Sequence, residues 1–497
     1  MATEPIGYAR LVEKHALPAR PLTVSAVIDT AVKGRTSTVA AETETLRFEP
    51  KYRPEDAIAG DLQFALKYEG VNLEVLALLF AKTGKLDIEA WLAGKPESRA
   101  ARQVGYLYEW LTGEQIKAAV PPKTGYLPVL DEQLQFASAT VKRDAKFRVL
   151  DNLPGNRNFC ALVRKTPLLR DMVQKDLRRH AQEKLSRYDP DLLRRAAAYL
   201  YLKETHSSFE VEREKPSSSR AQRFAELLRD AQTGKRLSED RLVELQNAVV
   251  DPRFREFSYR TKQNWVGQDL GYRNKIDFIA PRPEDVPSLM QGIVALSDAA
   301  RGNPESIDPV ALSATLAFGF VFIHPFMDGN GRIHRYLIHE ALSMTGFTPR
   351  GMVLPVSAVI LANLDDYVNV LERFSKPMLA RTSYNPEHPA AVATGNDALY
   401  FRYFDATDQV AFLYRALERT IDHDLEAEID FLIAFDQARE DLNKLADWPD
   451  KSLDLFVRLV QKNDYALSEA KHRSHFAWMS DAEAKNFSDV VKGAFLK

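Results

Sequence analysis

The strongest constraint on the fold is an uncharged apolar segment, Pro309 to Phe322, that leads directly into a loop containing glycines. The segment is too short to cross a bilayer, which takes about 20 helical residues. Asp308 followed by Pro309 is typical of a helix start, because Asp caps the first turn and Pro fits inside it. We therefore predict a buried helix that runs to the loop at His324.

Composition and charge exclude several classes of protein. The 497 residues suffice for about three domains. Lys plus Arg is 67 and Asp plus Glu is 69, so a net charge of −2 gives the whole chain no attraction to nucleic acid or an anionic membrane. The single cysteine, Cys160, excludes a disulfide framework and a Cys-rich metal site. Because the N-terminal segment also lacks the basic and apolar regions of a signal peptide, we expect a cytoplasmic protein without a membrane partner.

Hydrophobic spacing separates a mixed N-terminal region from a longer helical one. Strand-like residues 22–28 precede helical patterns at 62–68 and 73–81. From residue 190 onward the helical spacing of three to four residues dominates. We predict a mainly α fold in four parts: an N-terminal accessory α+β domain over 1–165, a helical linker over 166–220, a helical core with a short β-hairpin over 221–390, and a C-terminal helical accessory region over 391–497.

The loop between His324 and Arg335 carries the densest group of chemically useful residues. A glycine-rich turn that leads into a helix collects backbone N–H groups and the positive end of the helix dipole in one concavity. Gly329 and Gly331 allow a ligand to approach closely, and Asn330 between them adds side-chain donors. The sequence therefore predicts an anion site at this helix start.

The charged side chains around this anion site suit a polyphosphate. Arg332 and Arg335 are three residues apart, so they share a helix face and can form bidentate bonds. Asp328 is a lone carboxylate that suits Mg²⁺, which bridges one or two carboxylates to phosphate oxygens. His324 at the rim can act as general base on an incoming hydroxyl. The alternative is a capped surface loop with solvated arginines.

The run HPFMDGNGRIHR, from His324 to Arg335, resembles the Fic family signature HPFxDGNGRxxR at every fixed position. In organisation the resemblance extends over about residues 190–374. It implies a helical enzyme that transfers AMP from ATP to a Ser, Thr or Tyr hydroxyl of a target protein and releases pyrophosphate. Gly331 stands where the phosphorylating Doc-type relatives carry Lys, which favours AMP transfer.

The resemblance also implies a role for each residue of the loop. His324 would deprotonate the target hydroxyl, and Asp328 would hold Mg²⁺ against the α- and β-phosphates. Asn330 would lie near the α-phosphate. The residues implied to contact ATP phosphates are Gly329, Asn330, Gly331, Arg332 and Arg335.

Two further segments resemble parts of a Fic site. Residues 275–286 resemble the flap, a hairpin edge that docks a target segment through its main chain, and the candidate docking residues are Lys275, Ile276, Asp277 and Phe278. A hairpin that only packs on the core is the alternative. Tyr367 resembles a residue that lines the adenine pocket, and a core aromatic residue is the alternative.

An inhibitory motif, [S/T]xxxE[G/N], precedes the core in class II Fic proteins, and residues 208–212 resemble it. Ser208 and Glu212 are four residues apart and share a helix face. The resemblance implies that Glu212 pairs with Arg335 and displaces the γ-phosphate of ATP. Arg213 stands where the family has Gly or Asn.

The sequence leaves alternatives to inhibition by Glu212 open. Glu210 and Glu214 are substitutes for Glu212 on other faces of the helix, and a solvated charged helix end is the simplest alternative. In some class II relatives the inhibitory Glu orients a water that removes AMP from the modified target. That hydrolytic role is a second one open to Glu212.

Three functions are consistent with these residues. The first is a protein adenylyltransferase that uses Mg²⁺ and ATP and binds a target protein. The second is a related enzyme that uses the same site for another nucleotide, for phosphoryl transfer or for AMP removal. The third is a nucleotide-switched regulator of a protein or DNA partner. The resemblance also implies a homodimer, as in class II relatives, and leaves open a C-terminal winged helix, as in some Fic proteins.

Overall fold

A computed structural model describes residues 3–40, 43–231, 234–270, 274–382, 392–395 and 397–496. The described chain is mainly helical with small sheets, which confirms the predicted fold class. Its helices are α1 (Tyr8–Lys14), α2 (Ile58–Tyr68), α3 (Leu73–Thr83), α4 (Leu86–Gly94), α5 (Arg99–Thr112), α6 (Pro167–Gln174), α7 (Leu177–Leu185), α8 (Pro190–Val211), α9 (Ser218–Asp230), α10 (Glu239–Val249), α11 (Val286–Gly302), α12 (Pro309–Ile323), α13 (Asn330–Met344), α14 (Val356–Ala362), α15 (Leu364–Leu379), α16 (Ala398–Arg402), α17 (Thr407–Arg419), α18 (Leu425–Leu445), α19 (Asp450–Lys462), α20 (Glu469–His475) and α21 (Asp481–Phe495). Its strands are β1 (Glu4–Ile6), β2 (Val24–Ile28), β3 (Arg35–Ala40), β4 (Thr43–Phe48), β5 (Leu127–Pro128), β6 (Lys142–Asp144), β7 (Val149–Asp151), β8 (Trp265–Asp269) and β9 (Asn274–Ile279).

The N-terminal region combines two small sheets with helices. The first sheet has the order β1-β2-β4-β3, in which β2 and β4 are parallel and the other neighbours antiparallel. The second has the order β5-β7-β6. Helices α2 to α5 bury a core that includes Leu62, Leu76 and Leu107. This is the mixture of strands and helices that the sequence predicts for residues 1–165, while the boundary itself stays a prediction.

The central element is α12, the apolar helix predicted from Pro309 onward. Asp308 caps it, because its carboxylate accepts hydrogen bonds from the N–H groups of Val310 (3.1 Å) and Ala311 (2.8 Å). Helices α11, α13 and α17 pack around it. Phe159 fills the space over Gly319, where an added Cβ would lie 2.4 Å from the Phe159 ring. The core around α12 therefore includes residues from both sides of the predicted boundaries at 165 and 390.

The C-terminal region forms a helical bundle. Helices α18, α19 and α21 enclose a separate core that contains Trp448, Phe456 and Phe476. A winged helix needs a β-hairpin, and residues 397–496 contain no strand. The described part of this region thus has the helices of an accessory bundle and no β-hairpin that could form a wing.

Strands β8 and β9 form the predicted hairpin in front of α11. They pair antiparallel, with an irregularity between Val266 and Gly267. The hairpin is a separate two-stranded sheet, so each strand keeps an edge that is unpaired within the described sheets. Over the described ranges, we find no helix with the length and apolar character needed to cross a membrane.

Candidate active site

His324 ends α12 and is held by that helix. Its backbone is left-handed, with φ of 53°, and its Nδ1 lies 3.0 Å from the carbonyl oxygen of Val321. A carbonyl can only accept, so this contact assigns the ring proton to Nδ1 and leaves Nε2 with a free lone pair. Burial, together with the neighbouring Arg260 cation, lowers the pKa of His324 to about 4. The imidazole is therefore neutral at pH 7 and equipped to accept a proton.

Helix α13 begins at the glycine-containing loop. Gly329 is the N-cap, with φ of 89°, a left-handed conformation that favours glycine. The Asn330 side chain accepts a hydrogen bond from the N–H of Phe326 (3.1 Å) and donates one to its carbonyl (2.8 Å). Asn330 thus braces the loop. Its implied contact to the α-phosphate stays a prediction, since an amide nitrogen carries two N–H donors and the Phe326 carbonyl takes one of them.

Asp328 is the candidate metal ligand. Its Oδ1 accepts hydrogen bonds from the N–H of Gly329 (2.6 Å) and from Arg332 (2.8 Å), and its side chain is 45% exposed. Within the described ranges, no group of three or more His, Cys, Asp or Glu side chains could hold a metal ion. A single exposed carboxylate fits Mg²⁺, which fills its remaining positions with phosphate oxygens and water.

Helices α8 and α13 face each other along three successive turns. The facing positions are 204, 208 and 212 on α8 and its cap, and 339, 335 and 331 on α13. Because the numbers rise along one helix and fall along the other, the two helices run antiparallel. Each series has the spacing of four that places side chains on one face. The facing pairs are Glu204 Oε1 with His339 Nε2 at 2.7 Å, Ser208 Oγ with Arg335 Nε at 2.8 Å, and Glu212 with the backbone of Gly331.

The Glu212 carboxylate lies at the start of α13. A Cβ added to Gly331 would be 2.1 Å from Glu212 Oε1, and Arg335 donates a hydrogen bond of 2.9 Å to the same oxygen. Ser208 fixes Arg335 by accepting bonds at its Oγ and at its carbonyl. Partial burial disfavours the charged form of Glu212, but the Arg335 and Arg332 guanidinium groups outweigh it and hold the pKa below its usual value. An ionised carboxylate therefore fills the predicted anion site.

A second acid pairs with the other arginine of the loop. Glu214 Oε2 forms an ion pair with Arg332, and its Oε1 accepts a bond of 3.0 Å from Arg220. Both arginines also donate to the carbonyl of Val249, at 2.7 Å and 2.9 Å. Their guanidinium groups lie 5.2 Å and 5.4 Å from the centre of the Phe209 ring. Glu214 thus joins two buried cations that also contact the same carbonyl and the same aromatic ring.

Comparison with known proteins places this site in a family. The model of the Fic/DOC family matches residues 236–342, which include the hairpin, α12 and the start of α13. A Fido domain-containing protein of Dictyostelium discoideum is 36% identical over 110 residues, which cover 21% of this chain and 71% of that protein. The chain belongs to the Fic/DOC family.

Other relatives match this Fic/DOC protein over shorter shares of their length. The protein adenylyltransferase Fic of Nematostella vectensis is 38% identical over 74 residues, 15% of this chain and 17% of that protein. The solved structure of a Fic domain containing signaling protein from Bacteroides thetaiotaomicron is 23% identical, covers 50% of this chain and 95% of that chain, and has a TM-score of 0.34. The chain thus spans less than a fifth of the length of the first of these relatives.

In this Fic/DOC protein the end of α8 explains the Gly or Asn of the inhibitory motif. The N–H of Glu214 donates to the carbonyl of Phe209 (3.1 Å) and the N–H of Arg213 to that of Glu210 (2.8 Å). This pair of bonds is the Schellman motif, which needs a left-handed residue at its penultimate position. Arg213 occupies that position with φ of 56°. Most residues with a Cβ are strained there by about 1 kcal/mol, whereas Gly has no Cβ and Asn offsets the strain with local hydrogen bonds from its short side chain.

The β8–β9 hairpin lies where the sequence predicts the flap of the Fic/DOC site. Lys275 and Asp277 are exposed, whereas Ile276 and Phe278 are buried. The Phe278 ring lies 6.4 Å from the His324 ring, edge to face. Ile276 and Phe278 therefore pack inward, while Lys275 and Asp277 face outward. Target docking along the edge of β9 stays a prediction.

Tyr367 lies in the core of the Fic/DOC domain. Its side chain is buried among Phe318, His334 and Phe412, with ring centres 5.8 to 6.4 Å apart. Burial raises the pKa of its hydroxyl to about 12. The geometry favours the core aromatic that the sequence left as an alternative, because the space around the ring is already filled by side chains.

Four side chains that hold the catalytic loop were missed in the sequence. One comes from α10 and three from the segment between α10 and β8, and all bind main-chain atoms of residues 324–328. They are Gln246 (3.4 Å to the Asp328 carbonyl), Glu256 (2.8 Å to the Met327 N–H), Arg260 (2.8 Å to the His324 carbonyl) and Asn264 (2.9 Å to the Phe326 carbonyl). They lie more than 60 residues from the loop in sequence, and their spacing carries no local signal.

Proposed function

We propose that this chain is a protein adenylyltransferase, which transfers AMP from MgATP to a hydroxyl of a target protein. The observation that carries the proposal is the juxtaposition of a neutral His324, whose Nε2 is free to accept a proton, with the anion site at the start of α13. Arg332 and Arg335, which are 3% and 0% exposed, supply two fixed cations for the phosphates there. Relatives named protein adenylyltransferase support the same reaction.

The reaction we propose needs positioning and charge stabilisation more than covalent catalysis. Nε2 of His324 accepts the proton of the target hydroxyl, whose oxygen then bonds to the α-phosphorus of ATP. The bond from that phosphorus to the bridging oxygen breaks, and pyrophosphate leaves. Asp328 is the residue that would hold Mg²⁺, which neutralises phosphate charge when bound.

The position of the transferred label tests the reaction. We expect protein labelling from ATP labelled at the α-phosphate and none from ATP labelled at the γ-phosphate, in a bacterial lysate with Mg²⁺ and the Glu212→Gly variant. Transfer of the γ-label instead would replace the proposal by phosphorylation. Loss of label from a protein already carrying AMP would favour AMP removal.

We also propose that the enzyme is autoinhibited by the cap of α8. The carboxylate of Glu212 occupies the place that a terminal phosphate of ATP needs beside Arg335. The two anions compete for one guanidinium, so inhibition requires no distant conformational coupling. The Ser208 hydroxyl supports the inhibited state by orienting Arg335.

Glu214→Gln is expected to relieve autoinhibition, but less than a substitution of Glu212 itself. This substitution removes the ionic partner of Arg332 and Arg220 but leaves the Glu212 contact intact. Because the Glu214 side chain is 36% exposed, we expect a gain in AMP transfer of several-fold at most. The matched control is Glu210→Gln, an exposed acid in the last turn of α8, which should leave the rate unchanged. Equal rates of AMP transfer for both variants would show that Glu214 does not contribute to autoinhibition.

Arg213→Gly is expected to strengthen autoinhibition. Glycine adopts the left-handed conformation without strain, so the cap that carries Glu212 gains about 1 kcal/mol, or about fivefold in its closed population. Basal AMP transfer should fall, and the amides of residues 213 and 214 should exchange more slowly with solvent. Arg213→Ala is the control, since it removes the same side chain but keeps the strain. Identical behaviour of the two variants would show that the backbone conformation has no part in inhibition.

A further inference from the structure

We propose that Arg260 is a positioning residue for catalysis, which fixes the backbone at His324 against the base of the β8–β9 hairpin. The inference rests on the proposed AMP transfer. Arg260 lies in the irregular segment between α10 and β8, outside the loop motif, and it touches none of the reacting atoms. It acts through His324, and it joins the residue that takes the proton to the element that leads to the target-docking edge.

The contacts of Arg260 converge on main-chain oxygens. Its Nε donates to the carbonyl of His324 at 2.8 Å, and its own N–H donates to the carbonyl of Pro325 at 2.8 Å. One terminal nitrogen donates to the carbonyl of Pro281 at 2.6 Å, just beyond β9, and the other to that of Lys262 at 2.9 Å. A planar fork with fixed donor directions can hold these groups together, which a lysine ammonium cannot.

The location of Arg260 makes this geometry rigid. The residue is 4% exposed, so its donors cannot exchange these carbonyls for solvent. Burial lowers the pKa of Arg260 to about 10, which still leaves it cationic at pH 7. His324 needs such support because it sits in a left-handed conformation at the end of α12, where the helix no longer constrains its carbonyl.

The charge of Arg260 also acts on the imidazole. The charged groups that face His324 are the Arg260 cation, which disfavours a protonated ring, and the Glu212 and Asp328 carboxylates, which favour it. Phe278, from the hairpin, adds an apolar face. Once Glu212 is removed, Asp328 is the one of these two carboxylates that remains to favour the protonated ring. Its cation then helps to keep the ring neutral and able to accept a proton.

The experiment compares variants in the Glu212→Gly background, where activity is highest. Arg260→Gln should lower kcat about 10- to 100-fold with KM for ATP within about twofold, because the base is misplaced and not the nucleotide. The acid limb of its kcat–pH profile should lie at higher pH than in the parent, because the Arg260 cation lowers the pKa of His324. Arg260→Lys keeps the charge, so its acid limb should stay in place while kcat falls. Arg253→Gln, an exposed arginine of the same segment with the same charge change, should match the background.

The inference is overturned if Arg260→Gln keeps both the kcat and the acid limb of its parent. If that variant does not fold, Arg260→Lys decides: a lower kcat at unchanged KM supports the role, and an unchanged kcat overturns it. A titration of the His324 ring by NMR, assigned through His324→Ala, reads the same shift without activity. A parent without AMP transfer would overturn the proposed function, whereas an unchanged kcat together with an unshifted ring titration would overturn the role of Arg260.

Discussion

Glu212→Gly is expected to raise AMP transfer roughly 10- to 100-fold over wild type. The substitution removes a charged hydrogen-bond partner of Arg335, a contact of the kind that contributes about 1.5–3 kcal/mol. It also clears the carboxylate from the space over Gly331. Arg335 and the start of α13 then become available to the phosphates of ATP. Initial rates of labelling with α-labelled ATP measure the effect.

Two further variants separate charge from shape in this result. Glu212→Gln keeps the size of the side chain but removes its charge, so it should activate to an intermediate extent. Glu210→Gln changes the charge of an exposed neighbour and should behave as wild type. If wild type already transfers AMP as fast as Glu212→Gly, the ion pair with Arg335 does not inhibit. The proposed autoinhibition would then be wrong, whereas the proposed AMP transfer would stand.

His324→Ala is expected to abolish transfer, with a loss of about 10²- to 10⁴-fold in the Glu212→Gly background. This is the range that a positioned general base contributes. The Nδ1 contact to the Val321 carbonyl leaves Nε2 as the acceptor for the hydroxyl proton. Single-turnover labelling of target protein measures the loss, since it reports the chemical step.

The control for His324→Ala is nucleotide binding. The arginines and the backbone of α13 remain in place, so the affinity for MgATP should change less than about threefold. His206→Ala, an exposed histidine on α8, is the matched substitution and should retain full activity. Transfer that persists at the parental rate in His324→Ala would require a different base.

The sequence could predict those parts of the site that are local in the chain. The apolar run and the Asp308-Pro309 start gave α12, and the glycines gave the loop before α13. The spacing of Ser208 and Glu212 placed both on one helix face, and the structure brings both to Arg335. The same spacing of four would also have pointed to Glu204, had the series been extended by one turn toward the N-terminus.

The rest of the site depends on contacts that a sequence pattern does not encode. Arg260 reaches main-chain oxygens of His324, and a carbonyl can be supplied by any residue type. Glu214 reaches Arg332 because the left-handed Arg213 turns the chain after α8, a conformation that an arginine does not predict. Tyr367 fitted two roles equally well, since packing around its ring decides between them.

The most direct test measures protein labelling from α-labelled ATP by four proteins in parallel. These are wild type, Glu212→Gly, Glu212→Gly with His324→Ala, and Glu210→Gln. We predict strong labelling by Glu212→Gly, weak labelling by wild type and Glu210→Gln, and none by the double variant. Absence of label with Glu212→Gly, or label that persists without His324, would contradict AMP transfer at this site.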